Sequence, residues 1–411
     1  MSWTTRQVWM TLLALAASLA AGPLANADVV TDWNIIAGDI VVAARLLPPP
    51  ANRAMALVQT AVYEAVNAVT KRYPQDGVKL DASPGASVDA AVAAANYAAL
   101  SKLVPSQQAA IDSAYRAALS AIPDGSAKTE GVAVGEKAAA AILTLRADDG
   151  AAEPESYRPR TTAGVYVPTI IPAVPQWPHR KPWVMSSADQ FRPAPPPSLT
   201  STLWARDYNE IKALGAKNSV QRTAEQSAIA RFWEATAPTI YTPVLRSVAG
   251  IPGREVTRNA RLLAIAAQAM DDGLIAVYDA KYRYEFWRPI TAIRNGDLDG
   301  NDATERDASW VPFIDTPMHP EYPCAHCIVS GALGAVLLGE IGTGPTPTLS
   351  STSPTAPGMV RTWTKVEDFM QEVANARIYD GVHYRNSTEV GTAMGKKIGE
   401  LAGAKALQAQ K

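Results

Sequence analysis

The sequence predicts an all-α protein, and three observations carry that expectation. Hydrophobic residues make up 47% of the 411-residue chain, much of that share is alanine, and there are only five phenylalanines. Small side chains suit closely packed helices better than sheets. Several segments repeat apolar residues at helical spacing, as Met55, Val58, Val62 and Val66 do. The segment ends carry helix punctuation: a Thr364/Glu367 capping box, an Asn386/Glu389 pair, and Pro105, Pro123 and Gly381 as breakers.

Taken in order, the N-terminus reads as a secretory signal. Arg6 precedes an apolar stretch from about Val8 to Ala21, and Ala25-Asn26-Ala27 is a small-x-small cleavage site. The mature chain is then residues 28–411, expected as a single helical domain in a periplasm or outside the cell. Asn52 is expected to cap a helix reaching Thr70. Ala-rich helices are expected over 87–103, 106–121 and 128–148, closed by the Asp148 to Gly150 turn. From 154 to 197 proline is dense and interleaved with Trp177 and Trp183. Such a segment is no regular helix, and its tryptophans point to a loop that wraps and packs on a helical body rather than to a linker.

Helical patterning returns at 202–215, 221–236 and 254–280. In the turn-rich stretch that follows, Asp297, Asp299 and Asn301 have calcium-loop spacing. Asp302 and Ala308 stand where such a loop needs Gly and Glu, so the stretch reads as a solvated loop. The run Ile328 to Leu338 reads as a buried helix. One helix is expected from Thr364 to about Asp380, and a last one from Asn386 to about residue 407. No internal repeat is evident.

Bulk charge excludes some classes of partner. With 38 basic and 39 acidic residues, no long-range field favours nucleic acid or an anionic membrane. No segment of the mature chain could span a bilayer: Gly331 to Ile341 is too short and carries Glu340. Two cysteines make no disulfide framework, and four histidines are a poor stock for a zinc site.

The chemistry concentrates between 281 and 387. Lys281 and Arg288, the latter followed by Pro289, are seven apart, so on a continuous helix both would leave one face; Pro289 is expected to break or bend that helix. Pro323, Cys324, Ala325 and His326 open the buried helix, whose first turn offers free N–H groups to an anion. Arg377 stands in the last turn of its helix and His383 in the loop beyond. Guanidinium groups can bind two oxygens of a tetrahedral oxyanion at once, and His326 and His383 have near-neutral reference pKa values suited to proton transfer, nucleophilic attack or metal ligation.

These three segments resemble the signature shared by vanadium-dependent haloperoxidases and the type-2 phosphatidic acid phosphatase superfamily: K-x6-R-P, P-S-G-H and S-R-x5-H. The runs Lys281 to Arg294, Asn295 to Gly300 and His319 to Pro323 look like the bacterial haloperoxidase branch, and the resemblance covers roughly residues 50–407. It implies a helical-bundle core. It also implies that Lys281, Arg288 and Arg377, with Cys324 and Ala325 in the helix-start positions, bind the oxyanion; that His383 is bonded to its central atom, vanadium or phosphorus; and that His326 is the acid–base group. With vanadate as cofactor the substrates would be peroxide and halide; with no cofactor the substrate would be a soluble phosphoester attacked by His383. Four positions depart from the pattern. Cys324 and Ala325 replace Ser and Gly, Ala376 replaces the Ser before the arginine, and Ser387 stands where the phosphatases often have Asp. A positive φ at Ala325 would be strained. Cys324 and Cys327 would either pair as a C-x-x-C disulfide in an oxidising compartment or sit as small buried residues at the helix start. A degenerate oxyanion-binding member, or a thiol-based redox protein, therefore stands beside the two enzymatic readings.

Overall fold

The computed structural model describes residues 28–75, 78–235 and 238–408, and the expected signal peptide with its cleavage site at Ala27 lies outside them. The first helix, α1 (Val29–Ala43), has Asp28 as its N-cap, accepting from the Thr31 N–H at 2.9 Å; no such helix was expected. The second, α2 (Pro48–Thr70), starts four residues before Asn52 because proline suits the first helical turn, where its missing N–H is no loss. Asn52 is inside the helix and donates to Pro48 O at 2.9 Å instead of capping it.

Three helices complete the N-terminal half as the sequence predicts: α3 (Val88–Leu103), α4 (Gln108–Ser120) and α5 (Ser126–Leu145). After the proline-rich segment come α6 (Thr202–Leu214), α7 (Ala224–Trp233), α8 (Thr242–Ala249) and α9 (Val256–Tyr284). Then follow α10 (Pro289–Arg294), α11 (Ala325–Ile341), α12 (Val366–Tyr379) and α13 (Arg385–Gln408). An unexpected antiparallel hairpin, β1 (Leu349–Ser353) with β2 (Ala356–Trp363), precedes α12, with Leu349 opposite Trp363. Among the described residues no helix is long and apolar enough to cross a membrane.

Helix α9 is the axis of the fold. Its 29 residues span about 43 Å at 1.5 Å per residue. It packs against α2, α11 and α13. Helices α11 and α13 approach closely because their contact face is small: a Cβ at Gly395 would overlap the Ile328 carbonyl, and one at Gly331 would lie 2.5 Å from Thr392 O. One apolar core runs from α1 through α9 to α13. A second, aromatic cluster of Trp204, Tyr208, Phe286, Trp287, Trp310, Tyr322 and Tyr384 stands between α6 and α10. Each fully buried tryptophan contributes at most roughly 5 kcal/mol of hydrophobic stabilisation.

Two helix starts differ from expectation. The Thr364 capping box does not form; β2 continues to Trp363, and α12 begins behind Lys365 with no side-chain cap. At the head of α13 the Asn386 N–H donates to Asp207 Oδ2 at 2.7 Å, so an α6 carboxylate does the capping. The calcium-like loop also differs: Asp299 is buried rather than solvated, accepting from Trp204 Nε1 and Thr304 Oγ1 at 2.7 Å each.

The proline-rich segment wraps the body, and two adjacent acids of α9 hold it. Asp271 accepts from Arg180 Nη1 at 2.7 Å and Trp183 Nε1 at 2.8 Å. Asp272 accepts from the backbone N–H groups of Trp183, Val184 and Met185. Further along, Tyr284 and Tyr322 donate to the carbonyls of Pro193 and Ala194. Proline-flanked backbone cannot satisfy itself internally, so side chains of the body do so.

Candidate active site

Lys281 lies in the last turn of α9, fully buried, and its ammonium donates to Pro320 O at 2.9 Å and Glu321 O at 2.7 Å. One of its three donors remains. Burial, with Arg288 nearby, pulls its pKa well below the usual lysine value. The helix does not run on to Arg288. It ends at Glu285, which adopts a left-handed conformation (φ 50°), four residues before Pro289. Phe286 then pairs with Val165 of the wrapping segment. Arg288 is thereby the N-cap residue of α10, buried, and not on the α9 face. Its guanidinium donates to His319 O and Val382 O at 2.8 Å each, and lies 2.9 Å from His319 Nδ1 and 3.4 Å from His383 Nε2. Burial lowers its pKa to about 10, against the raising influence of Glu321.

The start of α11 supplies the second part. Cys324 is the N-cap, bonded to Cys327, and its sulfur accepts from the Cys327 N–H at 3.2 Å. Both cysteines are wholly buried. Ala325 is not among the non-glycine residues with positive φ, so the strain expected there does not arise. The N–H groups of Ala325 and His326 precede the first backbone bond of the helix, from Ile328 to Cys324 O. His326 Nε2 lies 3.3 Å from Ala235 O, a contact that requires the proton on Nε2 and leaves Nδ1 as acceptor. Burial, then Arg377, depresses its pKa well below the ordinary value.

The end of α12 supplies the third. Arg377 Nη1 donates to Trp233 O at 2.9 Å and lies 2.6 Å from Asp380 Oδ2, while its Nε is buried without a partner. Gly381 (φ +79°) then reverses the chain against Gly215, where a side chain would overlap the Gly215 carbonyl. The turn delivers His383, buried, with Nδ1 2.8 Å from Glu321 Oε1. Glu321 Oε1 also accepts from the Tyr384 N–H at 3.1 Å. With its proton held on Nδ1, His383 presents an unprotonated Nε2 toward Arg288. Burial, then Arg288 and Lys281, depresses its pKa well below the ordinary value.

Ala325, His326, Arg377, His383 and His319 line one cavity of about 470 Å³. Lys281, Arg288 and Cys324 are not on its wall; Arg288 reaches it through His319 and His383. Three buried cations therefore surround the histidines. The two buried carboxyls beside them, Glu321 and Asp380, are each pushed up to about 7, chiefly by burial. An orphaned Arg377 Nε, a helix start with free N–H groups and an excess of positive charge suit a multiply charged tetrahedral oxyanion such as vanadate or phosphate. Glu321 was not singled out from the sequence beyond its place in the His319–Pro323 run. Its partner His383 is 62 positions away, and no local pattern reveals that contact.

Comparison with known proteins gives one consistent picture. A model of the VCPO second helical-bundle domain matches residues 261–411. The vanadium chloroperoxidase of Curvularia inaequalis is 27% identical over an alignment covering 41% of this chain and 37% of that protein, so the match spans well under half of the relative. Among solved structures, a bacterial vanadium-dependent iodoperoxidase superposes with a TM-score of 0.79 at 24% identity, covering 91% of this chain and 95% of the other. An apo-type bacterial vanadium-dependent chloroperoxidase gives 0.73 at 17%, covering 89% and 95%. At these identities the two structures establish a shared fold.

Proposed function

We propose, from the premise that this chain belongs to the superfamily uniting vanadium-dependent haloperoxidases with type-2 phosphatidic acid phosphatases, that it is a vanadate-dependent haloperoxidase oxidising halide with hydrogen peroxide. The observation that carries this reading is the buried Glu321–His383 pair, which fixes the imidazole tautomer and aims an unprotonated Nε2 among three cations. His383 Nε2 would be the ligand. Lys281, Arg288, Arg377 and the Ala325 N–H would hold the oxygens. When bound, vanadate supplies a Lewis-acidic centre that activates peroxide toward halide. His326 Nδ1 takes up the proton that peroxide sheds, and the nearby oxyanion charge would stabilise the imidazolium that Arg377 otherwise disfavours. In its disulfide Cys324 has no S–H to donate, so the hydroxyl contact implied by the family pattern is missing. We read residues 28–411 as one domain, exported after cleavage near Ala27; a buried disulfide suits such a compartment.

The same Glu321–His383 pair favours one second reading. A carboxylate on Nδ1 raises the nucleophilicity of Nε2, as a phosphohistidine intermediate requires, with His326 protonating the leaving alcohol. The deciding experiment takes the mature chain with orthovanadate and measures bromide and iodide oxidation by peroxide. In parallel, phosphoester hydrolysis is measured without vanadate. Halide oxidation lost in His383→Ala, with no hydrolysis, is the expected result. Hydrolysis alone, inhibited by vanadate, would establish the phosphatase. No turnover in either assay would favour a degenerate or redox-thiol member.

A further inference from the structure

A second and much smaller cavity adjoins Glu321. Its polar lining includes Glu321, Tyr384, Asp207 and Ser387, none of which lines the large cavity. All four are at most 2% exposed. Pro197 of the wrapping segment covers another side. The space is about 10 Å³ for the centre of a water molecule, and roughly 10–15 Å³ on that measure holds one.

Two groups on its wall lack partners. Glu321 uses Oε1 to accept from His383 Nδ1 and from the Tyr384 N–H, at 2.8 and 3.1 Å, while its Oε2 is buried with no hydrogen-bond partner. The Tyr384 hydroxyl is likewise buried without one. A phenol donates and a carboxylate oxygen accepts, so the two groups are complementary, yet no direct bond joins them. The hydroxyl is not free to swing elsewhere. The Tyr384 ring packs edge-on against Trp204 and Phe286, with centroids 5.0 and 5.8 Å apart. Leaving either group orphaned in a dry interior is costly, and more so for the carboxylate.

One water satisfies both. It accepts from the Tyr384 hydroxyl and donates to Glu321 Oε2. Its second proton can go to Asp207, whose oxygens keep lone pairs beyond their bonds to Arg206 and the Asn386 N–H. Three hydrogen bonds are the usual number for a buried water.

We infer that this small cavity binds one structural water, and that Tyr384 is a positioning residue for the oxyanion site, acting through that water on Glu321 and through Glu321 on His383. With Oε2 tied, the carboxylate keeps Oε1 on His383 Nδ1, and the imidazole keeps Nε2 toward Arg288. Without the tie, the carboxylate is free to turn about its last torsion, which is a soft one. The effect on binding rests on the reading of His383 as the residue bonded to the oxyanion's central atom; the water does not.

Tyr384→Phe removes the hydroxyl and nothing else. In calorimetry it should weaken tungstate binding by about three- to tenfold, while the ligand-free melting midpoint moves by less than about 2 °C. A merely structural role would act alike whatever stands at position 321, so the same substitution is also made in Glu321→Gln. There it should change tungstate affinity by less than about twofold, because the carboxylate through which it acts is gone. Unchanged affinity in Tyr384→Phe, an equal loss in both backgrounds, or a larger fall in the midpoint would overturn the positioning role. A crystal structure of the mature chain, at a resolution that shows ordered waters, should place one within hydrogen-bond reach of Glu321 Oε2 and Tyr384 Oη. A dry cavity, or a direct bond between the two groups, would overturn the water. If the unaltered chain bound no tungstate, the oxyanion reading and the positioning role would fall together, and the crystal structure alone would decide the water.

Discussion

An oxyanion should stabilise this protein strongly, because the site carries more positive than negative charge. Lys281, Arg288 and Arg377 are buried within one another's field, and the carboxyls that might neutralise them are pushed up to about 7. Anything that binds the folded state alone adds RT ln(1 + [L]/Kd), about 2.7 kcal/mol at a hundred times Kd and about 4.1 at a thousand times. For residues 28–408, about 380 residues, the unfolding entropy is roughly 0.8 kcal/mol/K. The melting midpoint should therefore rise by about 3 °C at a hundred times Kd and about 5 °C at a thousand. The assay is a thermal melt titrated with orthovanadate, tungstate and phosphate, with chloride at matched ionic strength as control. Arg377→Met should abolish the shift, since Arg377 Nε is the buried donor that lacks a partner. A midpoint that moves by less than about 1 °C up to about 10 mM of every tetrahedral anion would refute the reasoning.

Four further outcomes follow from particular contacts. Glu321→Gln keeps an acceptor for His383 Nδ1 but removes the charge, and should weaken tungstate binding by about 10- to 100-fold in calorimetry. Cys324→Ser restores a hydroxyl at the head of α11, and should tighten the same binding by about 3- to 10-fold. Arg180→Met leaves the buried Asp271 carboxylate without its cation, and should cost about 3–5 kcal/mol by urea unfolding. Burial raises Asp272 from 3.8 to about 6. With the folded pKa above the unfolded one, its contribution to stability is full below about pH 4 and is lost as pH rises through 6. That loss amounts to up to about 3 kcal/mol, so urea unfolding of Asp272→Asn should show a flatter stability profile between pH 4 and 6.

Most helices were legible because their ends are written locally. Ser87, Thr223 and the prolines at 105 and 123 act within a turn of where they stand. The failures share a cause, which is contact with a group distant in sequence or fixed by tertiary structure. Asn386 looked like its own cap, yet the acceptor is Asp207 on another helix. Thr364 had the residues of a capping box, yet the preceding strand fixes its backbone, and Trp363 packs with Phe369 and Trp233. Asp299 sits in a loop that reads as solvated, but Trp204, 95 residues earlier, buries it.

The cations of the site were legible for the opposite reason. Their number and spacing are visible in a sequence with few loud residues, whereas the groups that tune them are not. Lys281 and Arg288 are arranged not by one helical face but by a left-handed residue at Glu285, which seven-residue spacing conceals. Both then spend donors on the carbonyls of the 319–321 segment. That segment is therefore the frame of the site: its backbone holds two cations, and its Glu321 side chain holds His383. Substituting a cation removes one contact to a ligand, whereas displacing 319–321 would disturb both cations and the histidine together. The carboxyl of Glu321 reports on that frame, because its Oε1 alone joins the 319–321 segment to both His383 and the Tyr384 backbone. Removing a negative charge from a cationic site would by charge count alone tighten an oxyanion, so loss of affinity in Glu321→Gln, with the fold intact, would mark the Glu321–His383 interaction rather than net charge as what makes this site work.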